Sequence, residues 1–209
     1  MKRGIISIMF AVFVLCLWSA PVKATLITIE IEGVVDSVRD TGNYLEGKIK
    51  TGDIITGFYT YESTTPDSSP LDPVVGHYYH YNPPAGISLT VGGLNFKTDP
   101  ANINFLVGVG NDGPSDIYWL VSYNNLALSN GTSVYSISWQ LNDPTGSVFS
   151  SDALPTTAPV LDDWQSGNLL RLYGERAGYI IDAHVTSAIP EPAIILMLGF
   201  GSLLLRKRT

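Results

Sequence analysis

Groups able to do acid–base, nucleophilic or metal chemistry are few in this chain of 209 residues: three histidines and one cysteine, set among nineteen aspartates and glutamates. His77 and His80 flank Tyr78 and Tyr79. On a helix that spacing would put both imidazoles on one face. The segment reads as extended, however, and in a strand residues three apart point to opposite sides. The two therefore do not share a metal ion, and the remaining histidine, His184, lies far along the chain. Cys16 sits inside an apolar N-terminal run, preceded by Val14 and Leu15 instead of the small residues that precede a lipidated cysteine. Beyond that run there is no thiol, which excludes disulfides, thiol catalysis and thiolate zinc sites from the rest of the chain.

The acids offer two further options. Asp112 and Asp116 lie in the run Asn111-Asp112-Gly113-Pro114-Ser115-Asp116, an oxygen-rich loop that makes them the candidate ligands for a structural calcium ion. The run departs from the EF-hand pattern, and Asn, Asp, Gly and Pro are also what any tight turn uses. Asp162 and Asp163 form a second acidic pair. Paired carboxyl groups can hydrolyse glycosides, but this many acids make chance pairs inevitable. No serine stands in a nucleophile elbow and no glycine-rich phosphate loop is present. The expectation is a non-enzymatic protein without a cofactor, structural calcium being the one option; a carbohydrate-binding module is the alternative, and a secreted hydrolase with paired acids ranks third.

Aromatic residues are the other resource. Trp119, Trp139, Trp164, Tyr78 and Tyr79 are the candidate carbohydrate-binding set, with Tyr81, Tyr118 and Tyr123 nearby. Flat rings stack on the apolar faces of sugars while polar edges remain for hydrogen bonds. The same residues are common strand formers and core fillers. Tyr118 and Trp119 are adjacent, so on a strand they face opposite sides and at least one belongs to the core.

Strands must position all of these groups. Ile27, Ile29 and Ile31 alternate with Thr28, Glu30 and Glu32; Ile87, Leu89 and Val91 with Ser88 and Thr90; Tyr135, Ile137, Trp139 and Leu141 with Ser136, Ser138 and Gln140; and Ile181, Ala183 and Val185 with Asp182 and His184. Further strands are predicted over 54–61, 103–109, 116–123 and 169–173. Gly92-Gly93 predicts a two-residue hairpin, and Thr51-Gly52-Asp53, Asn130-Gly131 and 175–178 predict turns. Residues 63–73 read as a loop, and a single helical turn is predicted near 161–165. About ten short strands with frequent turns suggest an all-β, antiparallel two-sheet sandwich of jelly-roll type, with a closed barrel as the alternative. Asn130-Gly131-Thr132 matches a glycosylation sequon, read as accidental. Residues 25–189 carry six basic side chains against eighteen acidic ones. A net charge near −12 repels phosphate backbones and anionic lipid, so nucleic acid is not a partner.

The two ends have a different character. Lys2 and Arg3 precede an apolar run from Gly4 to Trp18, and Val22-Lys23-Ala24 ends it. This is the three-part pattern of a secretory signal peptide over 1–24, with cleavage expected between Ala24 and Thr25 by signal peptidase. The β-domain is then expected over 25–188, and a tail over 189–209. In the tail, Pro190-Glu191-Pro192 holds the backbone extended. Thirteen apolar or small residues follow, Ala193 to Leu205, then Arg206-Lys207-Arg208. As a helix that stretch would reach about 20 Å, short of a hydrocarbon core of about 30 Å, with the basic cluster held on the cytoplasmic side.

Pro190-Glu191-Pro192, the apolar stretch with Gly199 and Gly201, and the terminal basic cluster together resemble the PEP-CTERM sorting signal. The resemblance is confined to the C-terminal tail. It implies processing by exosortase, a membrane transpeptidase-like cysteine protease, in a Gram-negative bacterium that makes exopolysaccharide. It further implies a transient inner-membrane intermediate with a short transmembrane helix, and delivery to the cell envelope or to the extracellular matrix of a biofilm. It implies nothing about what the β-domain does once delivered.

Overall fold

The computed structural model describes residues 25–191. The expected signal segment with Ala24, and Pro192, Arg206, Lys207 and Arg208 of the sorting motif, lie outside them. Among the described residues no helix is long and apolar enough to cross a membrane.

The fold is all-β. Ten strands run in the order β1 (Leu26–Asp40), β2 (Ile54–Glu62), β3 (Val75–His80), β4 (Gly86–Val91), β5 (Leu94–Lys97), β6 (Phe105–Asn111), β7 (Asp116–Ser122), β8 (Val134–Asp143), β9 (Ser166–Gly174) and β10 (Tyr179–Pro190), with two short 3-10 turns at Leu161–Asp163 and Glu175–Ala177. All pairings are antiparallel. The strands make one continuous sheet in the order β3-β6-β7-β8-β9-β10-β1-β2-β4-β5, in place of the two separate sheets that the strand count suggested. The predicted hairpin closes β4 onto β5, pairing Val91 with Leu94. Both of its glycines, Gly92 and Gly93, take positive φ, as that tight turn requires.

One sheet makes a core by curling over itself. Long β1 is the hinge of the curl: it pairs with β2 on one side and β10 on the other, with register breaks at Glu32/Gly33 and Val35/Ser37 that bend it. The curl brings β2 opposite β7 and β8. The Tyr118 hydroxyl donates to the Tyr59 hydroxyl at 3.2 Å, and Trp139 meets the Tyr59 ring edge-on with centroids 6.0 Å apart. Beyond β5, Thr98 bridges Asn125, and its hydroxyl lies 2.8 Å from that of Ser122. The sheet is thus rolled nearly shut. Alternation sorts the side chains: along β7, Asp116, Tyr118, Leu120 and Ser122 are buried, while Ile117, Trp119 and Val121 face outward.

The strands also separate two ends of the molecule. At one end β1 begins beside the finish of β10; Ile29 pairs with Pro190, and the Glu191 amide donates to the Thr28 carbonyl at 2.9 Å. The last strand therefore runs through Ile189 and Pro190, past the expected domain boundary at 188. At the other end lie the β1–β2, β7–β8 and β9–β10 connections. The twelve residues of β10 span the interval, roughly 36 Å of strand.

Candidate functional site

The expected aromatic set divides between the two faces of the sheet. Trp139, Trp164 and Tyr78 are buried. The Trp139 indole donates to the Asn168 side-chain oxygen at 2.9 Å, the Tyr78 hydroxyl donates to the Asp152 carbonyl at 2.9 Å, and Trp164 packs edge-on against Phe149 at 5.3 Å. Strand parity turns Tyr78 and Trp139 into the core, while Trp164, between the 3-10 turn and β9, lines a pocket of about 320 Å³ with Phe149 and Val160. Trp119 and Tyr79 lie on the outer face. Trp119 stands over Gly108 of β6, its cross-strand partner, where a Cβ would overlap the indole. The His77 ring meets it edge-on at 5.6 Å. His80 points inward and is buried, so the two histidines do face opposite ways.

The calcium candidates also part. Asp112 is exposed in its turn. Asp116 is fully buried, and its carboxylate accepts the Val148 and Phe149 amides at 2.7 and 2.8 Å. Its partner across the β7–β8 ladder is Asp143, equally buried, which accepts from the amides and hydroxyls of Thr145 and Ser147. The Ser147 amide leads the contacts that hold the Asp143 carboxyl below its ordinary range. The two acids latch the 144–149 loop onto the strand ends and have no opening to a substrate. Among the described residues no group of three or more His, Cys, Asp or Glu is placed to hold a metal ion.

A second set of rings is gathered on the outside, at the end remote from Thr25 and Glu191. Tyr79 and Tyr81 stack nearly parallel, centroids 6.1 Å apart and planes 3° apart. Tyr123 follows one strand pair further on, its amide donating to the Asn104 carbonyl at 3.0 Å. Tyr135 and Tyr173 then meet edge-on at 5.8 Å. Tyr81, Tyr123 and Tyr135 are 61%, 44% and 60% exposed. Partial burial, then the neighbouring phenols of Tyr79 and Tyr135, raise the Tyr123 phenol above its ordinary pKa.

Tyr135 is the residue that sequence periodicity misplaces. Alternation groups it with the buried Ile137, Trp139 and Leu141. A register break between Val134 and Ser136 against β9 turns it outward instead. The sequence pattern marks Tyr173 only as a strand end and Tyr44 not at all; no periodic signal reports either of them.

The row of tyrosines opens into a groove of about 300 Å³ between Tyr123 and Tyr135, bordered by Asp99, Asn102, Asn125 and Glu175. The Asn125 amide nitrogen is spent on the Ser122 carbonyl at 3.0 Å. Its side-chain oxygen, and that of Asn104 beside Tyr123, are buried without a hydrogen-bond partner in the protein. Through Ser133 and Glu175 the groove borders a second cleft of about 630 Å³, reaching Tyr44, Asn130 and Arg176. The combined lining holds flat rings, carboxamides, two carboxylates and one guanidinium. Such a lining stacks on apolar ring faces and exchanges hydrogen bonds with hydroxyl groups.

Compared with known protein families, with characterised proteins and with solved structures, the chain gives no match.

Proposed function

We propose that residues 25–191 are a polysaccharide-binding domain of an exported, non-enzymatic protein. The carrying observation is the outer row Tyr79, Tyr81, Tyr123 and Tyr135 leading into a groove edged by Asp99, Asn102, Asn125 and Glu175. Rings set along a line suit a chain of repeating sugars better than a single small molecule. The carboxamide and carboxylate edge of Asn102, Asp99 and Glu175 supplies acceptors for hydroxyl hydrogens.

The route to the ligand comes from the ends of the chain. The signal-peptide pattern over 1–24 and the PEP-CTERM-like tail support export, handling by signal peptidase and exosortase, and delivery to the cell envelope or extracellular matrix. There the ligand would be the exopolysaccharide of the producing cell. Deleting 190–209 should misroute the protein; arrival of the truncated form at the same place with the same processing would sink the sorting half of the proposal.

Binding is tested separately. Removing an exposed ring that stacks on a sugar should weaken the complex by about 1–2 kcal/mol, roughly five- to thirty-fold in affinity. Tyr123→Ala with Tyr135→Ala should therefore reduce retention on matrix polysaccharide below detection while the domain stays folded. Undiminished retention would refute the assignment of this face. Recovery of shortened glycan chains after incubation would instead favour the hydrolase reading, with Asp99 and Glu175 as the acids in the groove.

A further inference from the structure

The groove between Tyr123 and Tyr135 does not end at Glu175; the neighbouring cleft carries a platform of its own. The Tyr44 ring, 45% exposed, is seated on two glycines: a Cβ at Gly42 or at Gly178 would collide with it. Its backbone is pinned from below, the Asp40 carboxylate accepting the Tyr44 and Leu45 amides at 2.8 Å each. Asn130, from the β7–β8 loop, donates to the Tyr44 carbonyl at 2.9 Å and to the Glu46 carboxylate at 3.2 Å, locking two loops together. Thr41 ties the same loop to the β9–β10 turn through the Gly178 carbonyl, by its amide at 3.1 Å and its hydroxyl at 3.2 Å.

These loops also hold strained backbone. Among the described residues, four that are not glycine have positive φ: Asn43, Glu46, Arg176 and Ala177. All four lie in the two loops that frame this cleft. Strain of this kind persists only where its surroundings impose it, and it clusters where a ligand is gripped. The Arg176 side chain is 92% exposed, with Glu175 as its ion-pair partner at 4.0 Å. A guanidinium so placed keeps its donors for a ligand.

Resting on the reading above, we propose that the Tyr44–Asn130–Arg176 cleft is a second subsite of the same binding face. A single neutral polysaccharide chain passes from the Tyr123–Tyr135 groove across Glu175 and stacks its next stretch on Tyr44. The chain is neutral, not uronic or phosphorylated, because Asp99 and Glu175 outnumber Arg176 along the path and the surrounding domain is strongly acidic.

Chain-length dependence tests this. The full chain in mild detergent is titrated with size-fractionated neutral glucan and mannan oligosaccharides, and with a uronate series of matching lengths. Affinity for neutral chains should climb at least five-fold once they outgrow the first groove. Tyr44→Ala and, separately, the surface change Arg176→Ala should erase that increment and leave short oligosaccharides within two-fold of the wild type. Tyr123→Ala should weaken short and long chains alike. A length-independent affinity, equal losses for short and long chains in Tyr44→Ala and Arg176→Ala, or tighter binding of the uronate series would overturn the second subsite while leaving the first groove standing. Binding of none of these chains by the folded protein would remove both.

Discussion

The sheet carries aromatic residues on both faces, and the two groups differ in neighbours far more than in composition. Inside, Tyr59, Tyr118 and Trp139 are closed off from water, and every polar atom on their rings has a protein partner. Burial drives the phenols of Tyr59 and Tyr118 well above their ordinary pKa, so both stay neutral. Outside, Tyr81, Tyr123 and Tyr135 are 44–61% exposed, and Tyr123 and Tyr135 border a groove edged by Asp99, Asn102 and Glu175. Adjacent residues fall into opposite groups, as Tyr118 and Trp119 do on β7. Ring type therefore says little about role; strand parity assigns it.

That contrast can be broken from the inside first. Trp139→Ala should destabilise the domain by about 3–5 kcal/mol, because it empties the point where β2 and β8 meet across the curl. Chemical denaturation would show it as a lower midpoint with little change in slope. A loss under 1 kcal/mol would mean that the curled sheet does not close on this residue.

His80 gives the next largest effect, through pH. It is 5% exposed, and burial lowers its pKa to about 4. Unfolded, it would take a proton near the ordinary value of about 6.5. The unfolded chain thus binds the extra proton, so stability is full above pH 6.5 and falls between there and pH 4, by up to roughly 3 kcal/mol. His80→Leu should flatten that part of the stability profile. An unchanged acid slope in the variant would show that His80 is not the sensor.

Tyr118→Phe should cost about 1 kcal/mol by stranding the Tyr59 hydroxyl. Smallest of all, Tyr81→Ala on the outside should leave the melting curve within about 0.5 kcal/mol of wild type. A large stability loss there would assign the outer row to structure and weaken its claim to a ligand.

Much of the fold can be read from alternation. Ile29 and Ile31, Ile87 and Leu89, and Ile181 and Ala183 all face the core as their spacing predicts, and Gly92-Gly93 marks its hairpin. What alternation does not encode is how the strands join. Whether two sheets face each other or one sheet rolls up depends on β1 bending at Glu32/Gly33 and Val35/Ser37, a long-range property of its pairing with β10. The four residues of β5 are too few for a periodic signal. The site suffers from the same blindness. Tyr135 is displaced by a single bulge, and Tyr44 becomes a platform only because Gly42 and Gly178, distant in sequence, meet beneath it.

The neighbouring pairing of Thr28 and Glu191, far from the tyrosine row, has a mechanical meaning. If the domain holds a polymer at one end while the chain is tethered through Glu191 at the other, tension runs along β10. The hydrogen bonds that join β10 to β1 from Asp40 to Ile29 are then loaded side by side, in shear, and must yield together. A pull that separated Thr25 from Glu191 would instead open the same ladder one rung at a time. The arrangement of strands makes the domain stiff along β10, between the tyrosine row and Glu191.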